Sequence, residues 1–176
     1  MSLLDRIAAT ILPGASDKDR ANARLQIEKL AAGETFAEDI IRQHKQIEQL
    51  FSDARSSTGE SAHSTVTELA MFLTGHSTAE EAVIYPEFSS HSSKVHAAMA
   101  YDRHAMAKIE LAKLQKLHPG SKEWRQKLGQ IESAVQRHIY QEESNWLPDV
   151  IRFAPIDERR RMSVAFRDHF DRFDHA

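Results

Sequence analysis

The sequence contains no cysteine. This absence excludes disulfides, iron–sulfur clusters, zinc–thiolate sites and thiol nucleophiles, so nitrogen and oxygen ligands must hold any metal. No hydrophobic run approaches the roughly 18 residues of a transmembrane helix, so we expect no membrane partner. Residues 1–12 include Asp5 and Arg6 and have no small-residue cleavage site, which argues against a secretory signal and favours a cytoplasmic location.

Acidic residues slightly outnumber basic residues, and the net charge is −3. No basic stripe interleaved with aromatic residues is present, so we expect no nucleic-acid partner. The short run Arg159–Arg161 is typical of a solvated helix face. With 176 residues and 41% hydrophobic content, the chain is long enough to form a single domain with a sizeable core.

Alternating apolar and polar residues, the pattern of a strand, are almost missing, whereas helical periodicity is nearly continuous. The sequence therefore predicts an all-α protein, an antiparallel up-down four-helix bundle at about 34–150. An N-terminal helical extension (1–33) and a C-terminal helix (about 155–173) flank it. A Ser-rich loop is expected at 52–63. The predicted helices are 2–12, 17–33 with Asp17 as N-cap, 34–51, 64–85, 93–117, and a sixth capped by Ser121 that precedes the C-terminal one.

Each of the four bundle helices has an apolar stripe that also carries histidine. The four stripes are Phe36, Ile40, His44, Ile47 and Phe51; Val66, Leu69, Leu73, His76, Glu80 and Val83; Ala97, Tyr101, His104, Ala107, Leu111 and Leu114; and Trp124, Leu128, Ile131, Val135, His138, Glu142 and Trp146. The C-terminal helix offers Met162, Phe166, Phe170 and Phe173 for packing.

One motif occurs twice in the sequence. His76-x-x-x-Glu80-Glu81-x-x-x-x-Pro86 recurs 62 residues later as His138-x-x-x-Glu142-Glu143-x-x-x-x-Pro148, and a lone histidine precedes each copy. A His and a Glu four residues apart lie on the same face of a helix, so two such helices can direct their side chains to one point. The candidate metal ligands are His44, His76, Glu80, His104, His138 and Glu142.

The two glutamates favour a metal over a plain core, because a carboxylate buried without a cation costs several kcal/mol. No basic residue lies one turn away on either stripe. Six ligands divide into two imidazoles for each of two metals, with both carboxylates bridging. One oxo or hydroxo bridge would then leave an open position on each metal. Such ligands suit iron, manganese or zinc; we expect two iron ions, with zinc or manganese as substitutes.

Other residues near the motif are expected to have lesser roles. Glu81 and Glu143 are rotated by about 100° from the ligand face, so surface or outer-layer positions are expected rather than ligation. Glu48 is assigned to a solvated face. Tyr101 shares the His104 stripe, and a redox or hydrogen-bonding role beside the metals is the alternative to core packing; no catalytic residue is assigned. The remaining histidines are expected to be solvated: His63, His91, His118, His169 and His175.

From about Glu34 to Pro148, the pattern resembles the hemerythrin-like, or HHE cation-binding, family. The resemblance implies a four-helix bundle around a non-haem di-iron centre. In it, His44, His76, His104 and His138 would be terminal ligands, and Glu80 and Glu142 bridging ones. The oxygen-carrying hemerythrins have a fifth histidine one turn from the ligand at His104; Ala100 and Lys108 occupy those positions here, and His96 is two turns away.

The missing fifth histidine makes the chain more similar to the bacterial branch that includes iron–sulfur cluster repair di-iron proteins. The cysteine-bearing N-terminal region of those proteins is absent. The leading hypothesis is a di-iron protein that binds, senses or detoxifies O₂, peroxide or NO in a stress response. Iron storage or delivery, including donation for cluster repair, is the alternative, and a zinc-stapled structural module is a third. Whether the centre turns over a substrate, and whether a protein partner exists, stays open.

Overall fold

The computed structural model describes residues 15–91 and 94–174, with the side chains of these residues apart from 91, 94–96 and 174. Within that part of the chain the regular structure is helical, and no strand is present. The helix expected at 2–12 lies outside the described residues. The elements are α1 (Asp17–Leu30), α2 (Thr35–Ser56), α3 (Gly59–Ala79), π1 (Glu80–Ile84), α4 (Tyr85–His91), α5 (Lys94–Leu114), α6 (Lys122–Gln141), π2 (Glu142–Trp146), α7 (Leu147–Phe153) and α8 (Ile156–Asp174), where π1 and π2 are π-helical.

Four helical rods form an antiparallel bundle, as the sequence predicts: α2, α3 with π1, α5, and α6 with π2. Arg55 in α2 pairs with Glu132 in α6, while His44, earlier in α2, contacts Glu143, later along the partner rod. The same reversed order holds for side-chain contacts between the α3–π1 rod and residues 108–115, and between α5 and α6. The all-α bundle is thus confirmed.

Helix starts follow from local capping. Ser121 is the N-cap of α6 and accepts a hydrogen bond from the Trp124 amide, as predicted. The N-cap of α1 is Ser16 rather than Asp17. Ser16 and Asp19 form a reciprocal capping box, which satisfies two amide groups that the start of a helix would otherwise leave without a partner.

The prediction of a Ser-rich loop at 52–63 is wrong. Only Ser57 and Thr58 separate α2 from α3. Helix α2 continues because its core face extends to the fully buried Ala54, and the hydroxyl of Ser56 donates to the carbonyl one turn back. A serine-rich composition therefore did not break the helix.

A polar layer divides the core into two apolar clusters. The cluster at one end includes Phe36 and Tyr85, and the cluster at the other includes Phe51 and Trp124. Between them lie the buried histidines and glutamates of the four stripes. The candidate site thus occupies the middle of the bundle.

Two stripe predictions fail by one residue. Val83 is half-buried, whereas Ile84 and Tyr85 face the core, because the wider π turn adds a residue and rotates the positions after it. In α5, Tyr101 is 40% exposed and its neighbour Ala100 is fully buried.

The outer helices pack along the bundle. Helix α8 lies against α2 and α3, where Arg167 pairs with the buried Asp39 at 2.5 Å. Met162 and Phe166 are buried as predicted. Helix α1 packs on π2, α6 and α7 through the buried Ile27. No helix in the described residues is both long and apolar enough to cross a membrane.

A pair of helical glycines tests the packing of α8. A Cβ at Gly75 in α3 would lie 3.0 Å from the Cβ of Phe173, whereas a Cβ at Gly129 in α6 would have no neighbour within 4 Å. Gly129→Ala is expected to stabilise the protein by up to about 1 kcal/mol through helix propensity. Gly75→Ala is expected to be less stable than Gly129→Ala by about 1–2 kcal/mol, because α8 must shift. Urea unfolding of metal-free protein measures both, and equal stabilities would contradict the close contact.

Candidate metal centre

The structure brings all six predicted ligand residues together in the buried centre of the bundle. In the described part of the chain, their atoms form two groups of four potential ligands, and the atoms of each group lie within 4.8 Å of one another. Glu80 and Glu142 belong to both groups. His44 and His76 complete the first group, and His104 and His138 complete the second.

Each glutamate reaches across the bundle as well as along its own helix. Glu80 lies 3.3 Å from the Nε2 of His76, one turn back, and 3.4 Å from the Nε2 of His104. Glu142 lies 3.4 Å from the Nε2 of His138, its own helical neighbour, and 3.3 Å from the Nε2 of His44. The carboxylates therefore connect the two histidine pairs.

A π-helical segment begins at each of these glutamates. The amide of Tyr85 donates to the carbonyl of Glu80, and the amide of Leu147 donates to that of Glu142, each five residues apart. The prolines of the repeated motif follow at the start of α4 and α7; they have no amide hydrogen and cannot complete an ordinary α-helical turn. The duplicated sequence thus builds a duplicated local structure.

The outward ring nitrogens of three histidines have partners beyond the cluster. His44 Nδ1 lies 2.8 Å from Glu143, His76 Nδ1 lies 2.8 Å from Gln43, and His104 Nδ1 lies 3.1 Å from Glu81. Because these oxygens accept hydrogen bonds, each Nδ1 carries the hydrogen and each Nε2 faces the centre. The three rings are therefore held in an orientation suited to binding a metal.

Hydrogen bonds do not pair every buried polar atom at the centre. His44 Nε2 and Glu142 Oε2 are buried and lie 3.3 Å apart, but neither has a partner in hydrogen-bonding geometry among the described residues. The Nε2 atoms of His104 and His138 lie only 2.8 Å apart. Nitrogen and oxygen lone pairs that converge in this way, in a buried site, fit a bound metal ion.

Shifts in the pKa values of Glu80, Glu142 and His44 show the cost of burying charge at the centre. Burial, together with the charge of Glu142, raises the pKa of Glu80 well above its ordinary range. Burial opposes charge on Glu142 too, but His138 and His44 outweigh it and lower that pKa to about 2. Contacts with Glu142 and Glu143 overcome burial and raise the pKa of His44 to about 10. Without a cation, protons on Glu80 and His44 compensate the buried charge.

Tyr85 is the tyrosine at the centre. Its hydroxyl lies 2.9 Å from His104 Nε2 and 3.2 Å from His138 Nε2, and it donates to Glu142 at 3.1 Å. Burial and the neighbouring glutamates raise its pKa well above the ordinary value, so it keeps its proton. Tyr101 instead donates to the backbone carbonyl of Glu81 and packs edge-on against the ring of Tyr85. Its redox role stays a prediction.

A model of the hemerythrin HHE cation-binding domain matches residues 35–150. The chain belongs to this family. With the histidine and glutamate cluster described above, membership identifies a metal-binding protein.

A second comparison matches the chain to part of a larger protein. A "DNA nickase" from Nostoc sp. strain PCC 7120 is 28% identical to it over 109 residues, which are 61% of this chain and 31% of that protein. The chain thus spans about a third of the length of the relative it matches. No solved structure matches the chain.

Sequence reasoning missed several residues of this hemerythrin site. Gln43 and Tyr85 were not singled out, although Gln43 precedes a ligand directly and Tyr85 lies within the repeated motif. Glu81 and Glu143 lie outside the two groups of potential ligands, but both contact candidate ligand histidines. The shared Glu-Glu pair of the two motif copies is the signal that could have identified this role.

The remaining predictions for single residues also have outcomes. Glu48, expected on a solvated face, is partly exposed but pairs with Arg24. His63 and His118 are exposed as expected, while His169 is half-buried. The side chains of His91, His96 and His175 lie outside the described residues.

Metal binding is expected to release protons at neutral pH, because Glu80 and His44 hold protons that a cation must displace. Affinity should therefore increase as the pH rises and decrease as it falls. Calorimetric titration of metal-free protein in buffers of different ionisation enthalpy measures the released protons. Glu80→Gln should release roughly one fewer proton than the wild type; equal release would contradict this protonation pattern.

Proposed function

We propose that the chain binds two iron ions and uses them to bind, sense or detoxify a small molecule such as O₂, peroxide or NO. The observation that carries the proposal is the pair of four-residue ligand groups that share Glu80 and Glu142. Two imidazoles and two carboxylates provide fewer ligands than the six that iron commonly takes, so each metal would keep room for a small molecule. Bound iron would supply redox chemistry and open coordination positions.

The residues around His104 support the proposal that the metals keep open coordination positions. In a family member that carries a fifth histidine there, that ligand would occupy the place of Ala100 or Lys108. Ala100 is fully buried and offers no ligand atom, while Lys108 is 3.1 Å from Glu81 and pairs with it. This chain therefore provides no extra protein ligand from α5 at either position.

Protein residues would control the environment of a bound small molecule. The two apolar clusters enclose the layer on both sides and limit the access of water. Tyr85 holds its hydroxyl proton beside His104, His138 and Glu142, where it can donate a hydrogen bond. Tyr85 contacts both histidines of only the second group, so its size and polarity would act most directly on the half of the centre that contains His104 and His138.

Iron storage or delivery is the alternative. All six candidate ligands are buried, and three of the histidines are held by outer partners, which favours retention over rapid transfer. The nickase activity named for the Nostoc relative is not part of the proposal. The match covers 31% of that protein, and a net charge of −3 does not favour binding to a nucleic acid.

The direct test is metal analysis of protein produced in iron-replete medium, combined with visible absorption spectroscopy. The wild type is expected to contain close to two irons per chain, based on two ligand groups. His76→Ala should mainly remove the metal of the first group, and His138→Ala that of the second. Glu80→Ala should affect both, because Glu80 is shared.

His63→Ala is the matched control, since this histidine is exposed and far from the cluster in sequence. Wild type that binds zinc alone, or no metal after reconstitution with iron, would disprove the di-iron proposal. Iron that a mild chelator removes within minutes would instead support storage or delivery.

Tyr85→Phe provides a second prediction, because it removes the hydroxyl and keeps the ring. Iron content should stay unchanged, while the visible spectrum and the rate of NO or azide binding should change by several-fold, because the hydrogen bond donor beside His104 is lost. Tyr101→Phe, which removes only a bond to a backbone carbonyl, is the control. Identical binding kinetics in wild type and Tyr85→Phe would exclude a role for this hydroxyl.

A further inference from the structure

Helix α1 lies outside the region that matches the family model. It spans Asp17–Leu30, whereas the match begins at residue 35. Even so, α1 packs on π2, the segment that begins with the shared ligand Glu142. The buried Ile27 and an ion pair between Glu28 and Lys45 hold the helix on the bundle.

Arg24 is the residue of α1 that reaches toward the centre. Its Nε lies 2.7 Å from both carboxylate oxygens of Glu143. Its terminal nitrogens lie 3.2 and 3.4 Å from the oxygens of Glu48. The Arg24 side chain is only 16% exposed, and that of Glu143 is 2% exposed. Ion pairs this well shielded, with several hydrogen bonds, fix the orientation of a carboxylate.

Glu143, held by Arg24, in turn fixes the orientation of a candidate ligand. The same Oε1 that contacts Arg24 also accepts the hydrogen bond of His44 Nδ1 at 2.8 Å. The hydrogen on Nδ1 leaves Nε2 of His44 to face the metal position. Arg24, Glu143 and His44 therefore form a continuous chain of charged and polar contacts from α1 through π2 to α2.

The corresponding contact in the other half of the centre is built differently. Glu81 occupies the place of Glu143 in the first motif copy and contacts His104, but its cationic partner is Lys108. Lys108 belongs to α5, the same helix as His104, and Glu81 is 26% exposed. Only the contact at His44 depends on a helix outside the matched domain.

We infer that Arg24 is a positioning residue that couples the docking of α1 to metal retention at the half of the centre formed by His44 and His76. The inference rests on the proposed metal binding. Coupling of this kind is reciprocal: if docked α1 holds the metal more firmly, the bound metal must hold α1 more firmly. Loss of an outer partner of a histidine ligand typically costs roughly 10–100-fold in metal affinity.

Arg24→Gln tests this coupling, with Arg20→Gln as the matched control. Arg20 lies one turn away on the same helix, but among the described residues its side chain bonds to Ala15 and Asp17, within its own segment. In metal-loaded Arg24→Gln, a chelator is expected to remove one metal roughly 10–100 times faster than from the wild type, and the second at the wild-type rate. Arg20→Gln should behave like the wild type.

Hydrogen exchange supplies the reciprocal measurement. Metal loading is expected to slow amide exchange in residues 17–30 of the wild type and of Arg20→Gln, and to have little effect in Arg24→Gln. Arg24→Lys keeps the charge but not the paired hydrogen bonds, so it should lose the first metal at an intermediate rate. This variant also covers the case in which Arg24→Gln does not fold.

The outcomes separate this inference from the proposed function. If the wild type binds two metals and the Arg24 variants lose both at the wild-type rate, the role of Arg24 is overturned while the proposed metal binding stands. The same conclusion would follow if α1 exchanged faster in Arg24→Gln while metal retention did not change. Wild type that binds no metal would overturn the proposed function and this inference with it.

Discussion

Two carboxylates in the centre of an apolar bundle are the constraint on which the rest of the structure depends. Glu80 and Glu142 are each 1% exposed and face each other across the bundle among four imidazoles. Burial of two negative charges costs more free energy than the core of such a domain can easily compensate. Protons on Glu80 and His44 reduce that cost, and a cation in each ligand group would remove it.

The local backbone is shaped to place these carboxylates. An uninterrupted α-helix after Glu80 would lack one backbone hydrogen bond at Pro86, because proline has no amide hydrogen. The π turn accommodates the proline, and by adding a residue it turns Tyr85 toward the ligands. A single backbone feature therefore positions both a ligand and the hydroxyl next to it, and π2 repeats the arrangement around Glu142.

The sequence allowed much of this to be predicted, because periodicity is a local property. A histidine and a glutamate four residues apart must share a helix face, so the repeated motif predicts four of the candidate ligands, and the apolar stripes predict His44, His104 and the bundle. The register after Glu80 could not be predicted in this way, because Val83 fits an α-helical stripe and only the π turn moves Ile84 into the core.

The contacts that the sequence did not reveal are those between distant residues. Arg24 meets Glu143 across 119 positions, and a single sequence contains no signal for such a pair. Glu48, which the sequence assigns to a solvated face, also has Arg24 as its partner. The serines at 52–57 were misleading because the chain stays helical to Ser56, and the hydroxyls of Ser56 and Ser57 donate to carbonyls four residues back.

A duplicated motif need not build two equivalent halves. The ligand set is nearly symmetric, but Tyr85 contacts the side of His104 and His138, and no tyrosine takes the matching place near His44 and His76 in the described residues. His138 Nδ1 has no partner there, whereas His76 Nδ1 is held by Gln43. Because outer partners set the basicity and orientation of a ligand, two metals in this centre would have different affinities and different access to a small molecule. The symmetry of the sequence therefore describes the ligands, while the asymmetry of their surroundings would determine what each metal does.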